Sequence, residues 1–245
     1  MLIPIIVLGV LVLLGLTSRR YFGTANRPIF LIMLFIALLL FSGLRDNTVG
    51  TDTNGYLGRF QLMVGSTNFE SAVDAAGVDV DYGFYAICWV FGKILPNEQA
   101  WIAFISLIYL LGVATILYWE SPDYSFSMLY VYCMGIFFFS MTGLRQAMAM
   151  GVVLFSYIFV VKRKLVPFVL IILIAMQLHK SAAVFFIIYP IANLKTGWTR
   201  LLAVIAFFII VLAFKSQIGT WIIEYLPEEI VDERITGYMK STTQY

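Results

Sequence analysis

Long apolar runs alternate with short polar stretches over most of the chain. The clearest runs cover residues 2–17, 28–44, 100–119, 125–142, 146–161 and 198–214. A helix of roughly 17–25 mainly apolar residues crosses the hydrocarbon core of a bilayer. We therefore predict that each of these runs forms a membrane-spanning helix.

Two further apolar stretches depart from this length. Residues 165–194 are too long for one ordinary span, and the polar residues at 179–181 interrupt them. This pattern predicts two short helices that meet at a polar turn. Residues 84–95 are too short to cross the hydrocarbon core, so we predict a re-entrant or interfacial segment at residues 84–97.

The composition of the 245-residue chain supports a membrane protein. Hydrophobic residues make up 61% of it and charged residues only 12%, whereas roughly 25% of a soluble domain is charged. A water-soluble globule and a disordered chain are excluded, and the net charge of +2 is too small for a nucleic-acid-binding protein. Two cysteines and one histidine show neither disulfide nor zinc spacing. The fold class predicted is an all-α, polytopic integral membrane protein, with about eight spans in one membrane domain.

Clusters of basic residues orient these helices, because positive residues prefer cytoplasmic loops. Arg19, Arg20 and Arg27 form one cluster and residues 162–164 form another. Four predicted spans separate the two clusters, and an even number returns the chain to the same side. Residues 84–95 are therefore not expected to span.

This topology places several polar regions together on the outer side, along with both chain ends. They are the outer loop at 45–83, the turn before residue 146, the turn at 179–181 and the polar C-terminal segment at 215–245. The basic clusters alone set this orientation, so the grouping of the polar regions is independent of it. The outer face is therefore where we expect the chemistry.

The outer loop carries the first candidate residues. Arg45 and Arg59 have the bidentate geometry that suits phosphate oxygens, and Asp52 could act as a base or orient another group. The alternative is a solvated loop with local turns, which its glycine, Asn, Asp and Thr residues also favour. We interpret Asp79 and Asp81 as ordinary acidic residues of a loop. The alternative is that they face a cavity.

Arg145-Gln146 and His179-Lys180 provide further candidates. Arg145 stands at the head of a helix with small residues at four-residue spacing, which lets a neighbouring helix approach closely. Charges at a membrane boundary favour a functional role, although an arginine can also reach out to lipid headgroups. His179 can exchange protons near neutral pH or simply face water in a turn, and Lys180 fits an interface anchor.

Three sequence pieces resemble the EpsG family of Wzy-like polysaccharide polymerases. They are GLRDNTVGTDTNGY (43–56), GLRQAMAMG (143–151) and LHKSA (178–182), in that order and spacing. DYGF (81–84) and the RITGY stretch with Arg234 and Tyr238 are similar to the family less distinctively. The likeness runs through nearly the whole chain.

The resemblance implies a glycosyltransferase of the bacterial inner membrane with an outward-facing active site. Such polymerases act in exopolysaccharide, O-antigen and capsule pathways. They move a growing glycan from undecaprenyl pyrophosphate onto a lipid-linked repeat unit, and their architecture is similar to multi-span glycosyltransferases with lipid-linked donors. The resemblance also implies no metal or other cofactor, and a chain-length regulator and a flippase as pathway partners. Family members commonly continue beyond the outer loop at 215–245, so we expect a shortened chain, which would be inactive if the missing spans line the cavity.

Together, the residues and the resemblance predict one mechanism. Arg145, with Arg45 or Arg59, would bind the donor pyrophosphate and stabilise its developing charge. Asp52 or His179 would take the proton from the acceptor hydroxyl, and the sequence leaves this choice open. The remaining residues of the predicted substrate-binding set are Tyr56, Gln146 and Lys180.

Three other functions are weighed against this mechanism. A transporter or flippase of lipid-linked oligosaccharide would bind phosphate similarly, but internal repeats and polar residues at the bilayer midplane are more typical of it. A membrane acyltransferase would use His179 and leaves the arginine-rich loop unexplained. A purely structural subunit gives no reason for the clustered outer charges.

Overall fold

A computed structural model describes residues 2–21, 27–78, 81–194 and 197–213 of the chain. Within these ranges the structure is helical and contains no strand, so the all-α prediction is confirmed. The helices are α1 (Leu2–Tyr21), α2 (Arg27–Gly43), α3 (Thr53–Gly65), α4 (Phe69–Ala76), α5 (Tyr82–Ile94), α6 (Glu98–Glu120), α7 (Tyr124–Cys133), α8 (Ile136–Phe139), α9 (Leu144–Val161), α10 (Leu165–Leu178), a 3-10 helix (Lys180–Ile187), α11 (Ile188–Ala192) and α12 (Gly197–Ala213).

Two of the described helices, α6 and α9, are long and apolar enough to cross a membrane. The apolar segments of the other helices are shorter, at 10–17 residues. The count of about eight spans therefore stays a prediction, as does the interfacial placement of residues 84–97, most of which form α5.

In three segments, the observed local structure differs from the one that we predicted. Residues 125–142 form α7 and α8 instead of one helix, because Gly135 adopts a left-handed conformation, with φ of 76°, after α7 ends. The break at His179 occurs as predicted, but residues 180–187 are a 3-10 helix. The outer loop, predicted to be turn-rich and not to span, also contains the short helices α3 and α4.

Helix α3 forms in the outer loop because its apolar residues share one face. Tyr56, Leu57, Phe60 and Met63 recur at helical spacing and are all buried. The ring of Phe60 stacks on Trp101 of α6 with 5.8 Å between the ring centres. This aromatic contact fixes the outer loop on the end of α6.

A close approach of two glycines sets the contact between α6 and α9. A Cβ atom on Gly151 would lie 2.6 Å from the Ile108 carbonyl oxygen, and one on Gly112 would overlap the backbone of Gly151. Only glycine permits helix backbones to meet at this distance. The two helices that are long and apolar enough to cross a membrane are thus in direct backbone contact.

The helix directions bring three predicted polar regions to one end of the bundle. Arg45, just after α2, contacts Ser106 in the first half of α6, while Arg145 lies in the first turn of α9 and His179 follows α10. At the opposite end, Lys162 lies over the Trp119 ring at 5.9 Å. The predicted grouping of polar regions is therefore present, although the membrane side that they face stays a prediction.

The chain divides into two compact units, residues 1–186 and residues 187–245. In the second unit, Arg200 Nε donates a hydrogen bond to the Leu194 carbonyl at 2.9 Å, just before α12. The single membrane domain stays a prediction. The segment at 215–245, with its RITGY motif, lies outside the described residues, as does Asp79.

Candidate active site

Asp81 is the centre of a polar cluster at the end of the bundle where α9 begins. It lies immediately before α5, and only 4% of its side chain is exposed. Its carboxylate is within hydrogen-bonding distance of Arg145, His179 and the backbone of Lys180. A buried carboxylate needs such partners. Asp81 is therefore not the ordinary loop acid that we favoured from the sequence.

Arg145 is held against Asp81 by charge and by aromatic rings. Its Nη1 donates to Asp81 Oδ2 at 2.9 Å, and its Nε donates to the Tyr56 hydroxyl at 3.1 Å. The guanidinium carbon lies 5.8 Å from the centre of the Tyr56 ring and 5.9 Å from that of Tyr85, within the range of cation–π attraction. Nη2 makes no hydrogen bond within the described part of the chain and is available to a ligand.

His179 reaches the same carboxylate oxygen from another helix. Helix α10 ends at Leu178, and the extended backbone of His179 (φ −160°) turns the chain toward Asp81. His179 Nδ1 lies 3.0 Å from Asp81 Oδ2, and the next backbone N–H, of Lys180, donates to Oδ1 at 3.2 Å. The Lys180 side chain is exposed, so only its backbone takes part in the cluster.

The close approach of α5 and α10 makes this meeting possible. A Cβ atom on Gly83 would lie 2.6 Å from the Gln177 Cβ and 2.7 Å from its carbonyl oxygen. Because part of this contact is backbone, a side chain could not be accommodated without moving one helix. Gly83 thus lets Asp81 and His179 approach each other.

The charge state of Asp81 follows from its neighbours. Burial acts to raise the pKa of this carboxyl, but the His179 hydrogen bond, the positive charge of Arg145 and the Lys180 N–H outweigh it and lower the pKa. Asp81 is therefore ionised at neutral pH. An ionised carboxylate only accepts hydrogen bonds.

Arg45 lies elsewhere at this end and is more buried than Arg145. Its Nη1 donates to the Ser42 carbonyl at 2.7 Å and to Ser106 Oγ at 3.4 Å, and Nη2 donates to the Met141 carbonyl at 3.5 Å. It forms no salt bridge with any acid in the described ranges, and burial lowers its pKa to about 10. Arg45 is therefore a charged residue that connects α2, α6 and the turn before Arg145.

The remaining predicted residues do not contact Asp81. Asp52 is exposed just before α3 and makes no side-chain capping hydrogen bond. Arg59, on the same helix as Tyr56, is half-buried and acts electrostatically on Tyr85. Gln146 is half-buried and follows Arg145, close to Gly143.

Among the residues that the structure describes, no three histidine, cysteine or acidic side chains gather as a metal site would require. The groups that the cluster offers to a ligand are cationic or basic nitrogens. Such groups suit an anionic substrate that also carries a hydroxyl to be deprotonated.

Asp81 and Tyr85 are the members of the cluster that the predicted site did not include. The sequence held one signal for Asp81, the DYGF stretch that begins with it. Its burial depends on the packing of α5 against α10, which a one-dimensional pattern does not show. In the sequence, Tyr85 is one of several aromatic residues in an apolar segment, and nothing distinguishes it from the others.

The chain was also compared with known proteins. No curated protein and no solved structure gives a significant match. A family model, that of the EpsG family, matches residues 28–245, which include every residue of the Asp81 cluster. The resemblance seen in the three sequence pieces is thus confirmed, and the chain belongs to the EpsG family.

Proposed function

We propose that this protein is a polysaccharide polymerase that transfers a growing glycan from undecaprenyl pyrophosphate to a lipid-linked repeat unit. Membership of the EpsG family indicates a polymerase-like role in polysaccharide biosynthesis at a membrane. The donor, the acceptor, the bacterial inner membrane and the outward-facing site belong to the proposal.

The observation that carries the proposal is the meeting of Arg145 and His179 at one carboxylate oxygen. Arg145 offers Nη2 to an anion, and His179 offers Nε2 as a base, since neither nitrogen is bonded within the described part of the chain. The reaction needs both functions side by side. A leaving pyrophosphate must be stabilised while an acceptor hydroxyl loses its proton.

In the proposed step, the acceptor hydroxyl oxygen attacks the anomeric carbon of the donor glycan. The bond from that carbon to the pyrophosphate oxygen breaks, and undecaprenyl pyrophosphate leaves with the electron pair. His179 Nε2 takes the hydroxyl proton, while Arg145 neutralises the developing negative charge. Tyr56 orients the guanidinium of Arg145 through its hydroxyl.

The other predicted residues have different places in this proposal. Arg59 lies on the same helix as Tyr56 and is proposed to extend the anionic binding surface. Asp52 is exposed and makes no side-chain capping bond, whereas His179 contacts the Asp81 carboxylate, so His179 is the stronger candidate for the base. Arg45 donates its N–H groups to protein acceptors, which supports a positioning role for this residue. Gln146 and the Lys180 side chain stay candidates for sugar contacts.

The test is glycan length in cells that lack the gene and carry a rescue copy. Wild type should restore long chains, whereas Arg145→Ala and His179→Ala should leave single repeat units. Loss of a general base or of an electrostatic contact typically lowers a rate by 10²–10⁴-fold. Arg163→Ala is the matched control, because Arg163 is exposed at the opposite end of α9, and it should restore long chains.

All variants must be present in the membrane at equal abundance. Long chains from Arg145→Ala would contradict the proposal. If deletion of the gene abolished external repeat units altogether, the result would favour the flippase alternative, because a polymerase acts only after the repeat unit has crossed the membrane.

A further inference from the structure

We propose that Asp81 is a positioning residue for both partners of the site: it fixes His179 in the tautomer that carries its proton on Nδ1, and it anchors Arg145. His179 Nε2 and Arg145 Nη2 are then the nitrogens left for the substrate. The catalytic consequence rests on the proposed function, whereas the tautomer does not.

The tautomer follows from the hydrogen bonds of one carboxylate. Arg145 and the Lys180 backbone N–H can only donate, so Asp81 accepts one hydrogen bond on each of its two oxygens. His179 Nδ1 lies 3.0 Å from the oxygen that Arg145 also contacts. In this ionised environment Nδ1 must donate as well. The proton of the neutral ring is then on Nδ1, and Nε2 has a free lone pair.

The backbone of Asp81 provides an independent indication. Asp81 stands at the N-cap of α5, where an aspartate usually accepts a backbone N–H with its side chain. It makes no such bond, and its backbone is left-handed, with φ of 57° and ψ of 42°. This conformation is uncommon for residues other than glycine, although aspartate tolerates it better than most. The capping bond and the relaxed backbone are both absent, while the side chain serves the cluster instead.

Arg145 needs the same anchor because the other fixed contacts of its guanidinium are uncharged. Tyr56 supplies a hydroxyl and a ring face, and Tyr85 supplies a second ring face. Among the described residues, Asp81 is the acid that forms a salt bridge with Arg145. Without it, the guanidinium keeps its aromatic neighbours but loses the contact that fixes which nitrogen faces the ligand.

The chain contains a single histidine, so one labelled residue reports directly on this inference. We would measure the ¹⁵N chemical shifts of the ring nitrogens in purified, ¹⁵N-histidine-labelled full-length protein at alkaline pH. Wild type should show a protonated Nδ1 and an unprotonated Nε2. A wild-type protein with its proton on Nε2 would overturn the inference without any variant.

Asp81→Asn supplies the second measurement. Its amide is neutral and can donate as well as accept, so the Nδ1 proton should no longer be favoured and both tautomers should appear. In cells, the rate of polymerisation should fall by 10²–10⁴-fold, as expected when a base loses its correct tautomer. Asp74→Asn makes the same change at an exposed position on α4 and should match wild type in both measurements.

The two readouts separate the inference from the proposed function. An altered tautomer with unchanged glycan length would support the positioning of His179 by Asp81 and contradict the proposed catalysis. An unchanged tautomer in Asp81→Asn would overturn the positioning role, whether or not polymer is lost. Arg145→Ala and His179→Ala test the proposed function separately.

Discussion

At the scale of single residues, Asp81 and Arg45, the buried charged side chains that the structure describes at this end of the bundle, have different tasks. Asp81 has three donors around it and faces groups that remain open to a ligand. Arg45 instead donates to two backbone carbonyls and one serine hydroxyl. Arg45 therefore has a structural role, whereas Asp81 holds a second arginine, Arg145, to which our proposal gives a chemical role.

This difference predicts that Arg45→Lys impairs stability before it impairs chemistry. A lysine ammonium keeps the charge but cannot reproduce the planar fork that reaches Ser42, Ser106 and Met141. Each buried acceptor left without a partner costs about 1–3 kcal/mol. We expect a lower melting temperature of the purified protein. Arg59→Lys, at a half-buried position, should change it little, and equal melting temperatures for both variants would contradict the structural role.

The lowered pKa of Asp81 predicts a pH dependence of stability. A carboxyl whose pKa is lower in the folded protein stabilises the fold above its unfolded pKa, about 3.9, and this contribution disappears as pH falls through the folded pKa. The melting temperature of wild type should exceed that of Asp81→Asn at neutral pH. The difference should shrink below about pH 4. A constant difference from pH 7 to pH 3 would show that folding does not lower the pKa of Asp81.

At the scale of elements, the junction of α5 and α10 matters most for the site. Gly83→Ala should force these helices apart, because the added methyl group meets the Gln177 carbonyl. Overpacking of this kind costs about 1–3 kcal/mol, and it should separate Asp81 from His179. We expect shorter glycans at equal membrane abundance, together with a changed ¹⁵N signal of His179.

Gly58→Ala is the matched control for this prediction. A Cβ atom there has no neighbour within 4 Å, and alanine favours a helix by up to about 1 kcal/mol over glycine. Glycan length should stay normal. If Gly58→Ala and Gly83→Ala behaved alike, the close approach of α5 to α10 would not be what forms the cluster.

The elements also show what a one-dimensional pattern can predict. The apolar runs indicated most helices, because a helix that is buried or in contact with lipid needs apolar side chains. The polar residues at 179–181 correctly marked the end of α10. The pattern missed the division between α7 and α8, since an apolar run continues through Gly135. It also missed α3, whose apolar face is mixed with the Asn and Gly residues of a turn.

For the Asp81 cluster, the pattern singled out Arg145 and His179 as candidates because polar groups at the ends of apolar helices are conspicuous, and their part in catalysis stays a prediction. Asp81 escaped because acids are ordinary in outer loops. Its role depends on burial beside residues that are far away in sequence, and no local pattern contains that information. The Tyr56 contact with Arg145 joins residues that are 89 positions apart.

At the scale of the whole molecule, the contact of α6 with α9 predicts sensitivity to side-chain size. Gly151→Leu would place a branched side chain against the Ile108 carbonyl, where even a Cβ atom lies at 2.6 Å. The backbones would have to separate, which should lower the melting temperature and the amount of folded protein in the membrane. Gly9→Leu, where a Cβ atom has no neighbour within 4 Å, should leave both unchanged. Equal loss in the two variants would indicate a general intolerance of leucine in place of glycine.

The wide sequence separation of the Asp81 partners has a consequence for synthesis. Arg145 is made 64 residues after Asp81, and His179 is made 98 residues after it. During translation, Asp81 is therefore present before Arg145 and His179, which are added only as α9 and the residue after α10 are synthesised. A nascent chain interrupted in this interval has no assembled cluster, however well its first helices have inserted. Synthesis of Lys180, two residues beyond the end of α10, is thus the earliest point at which the chain contains the whole cluster.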